Sequence, residues 1–246
     1  MPSYTKSLIL CLLLFVFNGC NNKTLELEKK EPIKTKFVEL KTKSFESENQ
    51  YIILALESEN QKLYFDARNL YFKLFEKTDN YEYFVKYLAI STHIQDYKIV
   101  KEHALKYYKD NIKEEEIILR LYTFALFKLG NQKEALLNAQ KLANLFKSDV
   151  NYELLGTIYL QQKDYLKAYE FFEKSFALNK SANTFLNLTN IQYFNLSQKT
   201  EAINKIEQYI KDNGHDFNLS IQLLTFYEKE QQTQKMVPLL KEMYFE

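Results

Sequence analysis

The chain has 246 residues, 46% of them hydrophobic and 15% aromatic, which is ample material for a packed core and excludes a disordered polymer. Lys and Arg total 33 against 32 Asp and Glu, a formal charge of +1, so no global field draws polyphosphate and nucleic acid is not an expected partner. With only four Gly and three Pro, the positive-φ positions that sheets, phosphate loops and tight turns demand are scarce, and composition points to helices joined by short polar segments without many tight turns.

At the N-terminus, Lys6 precedes an apolar run from Leu8 to Phe17. A membrane-spanning helix needs about 20 apolar residues, so this shorter run reads as an export signal rather than an uncleaved anchor. The stretch Val16-Phe17-Asn18-Gly19-Cys20 resembles a bacterial lipobox. Gly19 and Cys20 match it, while Phe17 and Asn18 depart from the usual Leu and small residue. The resemblance implies a lipoprotein signal peptide over residues 1–19 and a lipidated Cys20 as the mature N-terminus. Asn21, in place of Asp, implies sorting to the outer membrane, facing the periplasm. Of the two cysteines, Cys11 and Cys20, cleavage leaves one, which excludes an internal disulfide and any multi-cysteine metal site.

Residues 21–47 are polar, rich in Lys and Glu, and interrupted by Pro32. With Cys20 they form an expected tether over 20–47, whose flexible span would be about 30 Å. Alternatively, Phe37 to Leu40 packs as a cap on the first helix pair.

From residue 48 to 246 the apolar pattern falls into helix pairs at a period of 33 to 35 residues. A pair from Glu48 carries Tyr64 and Ala67, with a capping box expected at Ser47 and Gln50. The next runs from Tyr81, with Asp96-Tyr97 at its turn. The third spans Glu116 to Ser148, with Gly130 in its turn and Ala135 in its second helix; the acidic run Lys113-Glu-Glu-Glu116 reads as a helix start. The fourth begins at Asp149, the fifth covers Asn183 to Asp216 with Gly214 as a C-cap, and the last starts at Phe217.

In the fourth pair Tyr152, Leu155, Gly156, Tyr159, Ala168 and Phe172 fall at the spacings of a tetratricopeptide repeat, which this unit resembles. Ser175 and Lys180 replace the second small residue and the terminal Pro. Two antiparallel helices approach closely only where side chains are small, so Gly156 and Ala168 should mark the crossing, with Tyr152, Tyr159 and Phe172 filling the space beside it. The resemblance implies an all-α, right-handed α-solenoid of about six such pairs. A non-repeating helical bundle has no reason to hold that period.

The three histidines, His93, His103 and His215, show no metal-binding spacing, so no enzyme, metal site, cofactor or small-molecule substrate is expected. In tetratricopeptide families the first helix of each pair lines a concave groove. Carried onto this sequence, the resemblance implies a partner-binding set of Arg120, Phe124, Phe127 and Lys128; Glu153, Thr157, Leu160 and Gln161; and Asn187, Ile191, Phe194 and Asn195, with Glu82, Val85, Ala89, Thr92 and His93 before them. Arg120 with Lys128 could hold one acidic group, and the exposed aromatics Phe127 and Phe194 would seat an extended or helical peptide. Some of these aromatics could instead pack between repeats. The layout is similar to lipoproteins of outer-membrane barrel assembly and to pilotins, which implies a membrane-anchored scaffold with a protein or peptide partner. A glycan-binding accessory of a cell-wall enzyme, a secretion-assembly factor and a plain structural spacer are the alternatives.

Overall fold

A computed structural model describes residues 46–110 and 115–245; the expected signal peptide, Cys20 and the tether up to residue 45 lie outside the described residues. Twelve helices and no strand occur among the described residues. They are α1 (Glu48–Asn60), α2 (Tyr64–Thr78), α3 (Tyr81–His93), α4 (Tyr97–Asp110), α5 (Glu116–Lys128), α6 (Gln132–Leu145), α7 (Asp149–Gln161), α8 (Tyr165–Asn179), α9 (Ala182–Phe194), α10 (Lys199–Asn213), α11 (Phe217–Lys229) and α12 (Thr233–Phe245). Consecutive helices pair, and each pair packs on the next, giving six units whose first helices begin 33 or 35 residues apart. Every first helix is 13 residues long.

The turns inside the pairs are tighter than composition suggested. Each of them places one residue in the left-handed region: Lys62, Gln95, Gly130, Lys163, Ser197 and Gln231, with φ between +57° and +79°. Five of the six turns are three residues long and close by the same two bonds, shown by Lys163 N–H to the Leu160 carbonyl at 3.1 Å and Asp164 N–H to the Tyr159 carbonyl at 3.0 Å. This is a Schellman closure, which satisfies two carbonyls that a helix end otherwise leaves unpaired. Scarcity of glycine therefore did not prevent tight turns; lysine, glutamine and serine accept the strained conformation, because packing of the two helices over-determines it. The turn between α9 and α10 differs, running through four residues, Asn195 to Gln198. Gly214 caps α10 as expected, with φ +82° and its N–H on the Ile210 carbonyl at 2.8 Å.

Helix starts are mixed. Asn80, Asp164 and Asp216 cap α3, α8 and α11 through their side chains, with Asp216 accepting the Leu219 N–H at 3.0 Å. The capping box expected at Ser47 does not form. Ser47 has ψ 10°, outside the extended geometry that aims a cap hydroxyl at the third helical N–H, and its side chain makes no capping bond. The acidic run before α5 does start a helix, with Glu115 at the N-cap and Glu116 in the first turn.

The crossings fall where the small residues lie. Gly156 is packed so closely on α8 that an added Cβ would sit 3.2 Å from Phe172 Cδ2 and 3.3 Å from the Ala168 carbonyl oxygen. The fourth residue of the second helix is Ala67, Ala135, Ala168 and Ala202 in four of the pairs, all with no exposed surface, while Val100 takes the place in the second pair. Phe172 is 1% exposed; burying a side chain of that size contributes about 1.5–3 kcal/mol. Between units, aromatic rings wedge one pair against the next: Phe75 on Phe84 at 4.5 Å, Phe176 on Phe185 at 5.0 Å, and Tyr193 stacked on Phe226 at 3.8 Å between ring centres.

Polar clusters add a second set of ties. Glu59, Tyr71 and Lys86 join the first pair to the second, the tyrosine hydroxyl donating to the carboxylate and the ammonium lying beside both. Glu230 with Tyr193 and Lys199, and Glu207 with Tyr227 and Lys235, repeat that arrangement between the fifth and sixth pairs.

Candidate protein-binding groove

The residues assigned to the groove lie on one face of each first helix, because positions 5, 9, 12 and 13 of an α-helix share a side. On α5 and α7 the sequence register holds: counting from Glu116 and Asp149 puts Arg120 and Glu153 fifth, Phe124 and Thr157 ninth, Phe127 and Leu160 twelfth, Lys128 and Gln161 thirteenth. Phe124, Thr157 and Leu160 are half-buried and Gln161 is exposed. Phe127 is not the exposed aromatic that was expected; it is 8% exposed and belongs to the core.

On α9 the set shifts by one. That helix starts at Ala182, so the equivalents of Glu153, Thr157, Leu160 and Gln161 are Leu186, Asn190, Tyr193 and Phe194. Ile191 consequently points inward at 2% exposure, in the tenth position that Ile158 fills in α7, and Asn195 leaves the helix for the turn. Asn187 is half-buried. Counting back from Ala202 misses this, because the four-residue turn adds one position between the two helices. Counting forward from Ser181, which precedes α9, recovers Leu186 and Asn190. Phe194 remains 52% exposed, with its edge on Phe226 of α11 at 5.7 Å. On α3, Thr92 is buried and its hydroxyl donates to the Leu88 carbonyl, while the exposed His93 packs edge-on to Tyr64 at 4.4 Å.

Electrostatically, the two cations expected to clamp an acidic group are engaged within the fold. Arg120 donates to Glu116 at 3.1 Å and to the Asn151 amide oxygen at 3.4 Å. The Glu116 carboxylate also accepts from Asn151 at 2.8 Å and Ser148 at 3.2 Å, so the cluster ties α5 to the start of α7. The Lys128 ammonium lies over the Phe124 and Phe127 rings at 5.2 and 6.0 Å, and burial lowers its pKa. Glu153 stands apart: burial first, and the charge of Asp149 second, push its carboxyl above the ordinary range. The Thr157 hydroxyl donates to the Glu153 backbone carbonyl, and no hydrogen bond or ion pair reaches the Glu153 carboxylate among the described residues. A cleft of about 700 Å³ between α10, α11 and α12, lined by Glu207, His215, Tyr227, Lys235 and Glu242 among others, uses none of the groove positions.

No protein-family model matches the chain, and no curated protein resembles it significantly. Solved structures do. A tetratricopeptide repeat protein of Parabacteroides merdae superposes with a TM-score of 0.63 at 14% identity, covering 81% of this chain and 80% of that one. PilF of Pseudomonas aeruginosa gives 0.62 at 18% identity, covering 81% and 92%. The C-terminal part of a repeat-containing protein of Cytophaga hutchinsonii gives 0.62 at 13%, covering 79% and 77%. With the period, the crossings and the paired helices already described, these likenesses identify the fold as the right-handed α-solenoid of tetratricopeptide repeats.

Proposed function

We propose that the chain is a non-enzymatic protein–protein interaction scaffold, lipid-anchored through Cys20 to the outer membrane and facing the periplasm, which holds a partner peptide or protein along the inner faces of α5, α7 and α9. The observation that carries the reading is the row of half-buried and exposed side chains there: Phe124 and Leu160, Leu186 and Phe194, interleaved with Thr157 and Asn190. Apolar side chains interleaved with a hydroxyl and an amide suit an extended or helical segment, whose side chains need pockets and whose backbone needs hydrogen-bond partners. The anchor rests on the lipobox-like Gly19-Cys20.

In-cell photocrosslinking tests the groove, with the probe placed at Phe194 or Leu160 and, for comparison, at the exposed Lys174 on α8. A discrete partner band from the first two sites and not from the third is expected; equal labelling from all three refutes the groove. Metabolic labelling with an alkyne fatty acid tests the anchor. Label should be present on the chain and lost in Cys20→Ser, and a chain that takes up none, or a variant that stays labelled, removes the lipid from the account.

A further inference from the structure

The charge that the groove selects depends on which of its ionic groups remain unmatched, and this step rests on the groove reading above. An acid-binding groove needs free cations, and the two at the groove positions of α5 are already committed. Arg120 is held by Glu116 and Asn151, and Lys128 covers two phenylalanine rings. Freeing either would break contacts that join α5 to α7 or expose apolar rings.

Acceptors, by contrast, are left over. Glu153 occupies the fifth position of α7, between Arg120 on α5 and Leu186 on α9, and among the described residues no hydrogen bond or salt bridge reaches its carboxylate. The charge that acts on it is that of Asp149 on its own helix, which accepts from Asn179 at 2.6 Å. On α9, the Asn190 amide oxygen at the ninth position is shut from solvent without a donor among the described residues. A half-buried carboxylate without a counterion costs stability, and so does a buried amide oxygen without a donor. A ligand that brings positive charge to Glu153 relieves the first of these.

We propose that the α7–α9 stretch of the groove selects a partner segment that presents a lysine or arginine side chain to Glu153, beside an apolar residue seated on Leu160 and Phe194. The cation's apolar stem lies along the groove wall and its head meets the carboxylate, as long basic side chains do at half-buried sites.

The test uses the full chain and three fluorescent 12-residue peptides of matched length and apolar content, carrying two lysines, two glutamates or neither. The lysine peptide should bind about tenfold more tightly than the neutral one, the scale of one charge-assisted hydrogen bond, and the glutamate peptide more weakly than either. Glu153→Gln should erase the tenfold preference and raise the melting temperature of the free protein, whereas Glu153→Asp should retain part of the preference. Opposite effects on stability and binding separate a ligand-directed carboxylate from a structural one. Preference for the glutamate peptide, or an undiminished lysine preference in Glu153→Gln, overturns the assignment while the groove stands. Binding of none of the three, together with equal photocrosslinking from Phe194 and Lys174, overturns the groove and this inference with it.

Discussion

Adding a methyl group at Gly156 sets two opposed effects against each other. In an unconstrained helix interior, Gly→Ala gains about 1 kcal/mol from propensity. Here the new Cβ would lie 3.2 and 3.3 Å from the ring of Phe172 and 3.3 Å from the Ala168 carbonyl oxygen. Those separations are a few tenths of an ångström below ordinary contact. Phe172 is 1% exposed and cannot swing aside, and Ala168 contributes backbone. Overpacking of this kind costs about 1–3 kcal/mol, so the net expectation for Gly156→Ala is a loss of about 1 kcal/mol. In a domain of this size that lowers the melting temperature by roughly 2–4 °C. Gly156→Val, with two further methyls in the same space, should lose more than about 3 kcal/mol. Circular dichroism at 222 nm against temperature and urea reads the global effect, and hydrogen exchange in α7 and α8 reads the local one, which matters because repeat arrays can unfold in parts. A Gly156→Ala protein that gains 1 kcal/mol would show that α7 and α8 do not cross there.

Three further outcomes are expected. Ser175 is buried with a hydroxyl that has no hydrogen-bond partner among the described residues, whereas Thr78, Ser91, Thr123 and Thr189 satisfy theirs on carbonyls one turn back; Ser175→Ala should therefore stabilise by about 1 kcal/mol in urea unfolding, and a loss would contradict the burial. Lys163, at φ +62°, should gain about 0.5–1 kcal/mol on change to Gly, while Gly130→Ala, whose Cβ would meet nothing within 4 Å, should lose about 1 kcal/mol from backbone strain alone; equal effects at both sites would deny the shared turn geometry. Burial raises the tyrosine pKa values, to about 12 for Tyr83 and Tyr87 and well above 10 for Tyr71, Tyr122 and Tyr227, where glutamate acceptors add to it. The stability these hydroxyls supply is complete below the unfolded value near 10 and falls as pH rises from there, so the melting temperature should drop as pH is raised above about 10, and a melting temperature that holds level up to about pH 12 would refute it.

The helix pairs were readable because crossings force small residues into fixed places: Gly156, Ala168 and Ala202 announced them, and each unit start lies at or within one residue of the expected position. What escaped the reading was set by tertiary packing. Lys62, Gln95, Lys163 and Gln231 carry no local sign of a left-handed turn, since only the docking of two helices imposes that conformation. Phe127 and Phe194 look alike in sequence, yet one is core and the other open, because they stand at the twelfth and thirteenth positions of their helices. Arg120 looked like a ligand clamp because Asn151 and Ser148, which complete its cluster, come from the start of the next repeat and far along the chain.

The extra residue between α9 and α10 makes that connection four residues long, where the other five corners within pairs have three, and it does so without moving Ile191 or Ala202 out of the core. A corner that absorbs a misfit of this kind works as a slip joint: the helices on either side keep their own facing, Leu196 stays against the core, and the slack is taken up at the exposed Asn195, Ser197 and Gln198. Foreign sequence spliced between Leu196 and Ser197, a reporter or an epitope, should therefore be carried by the stack without disturbing the surface offered to a guest.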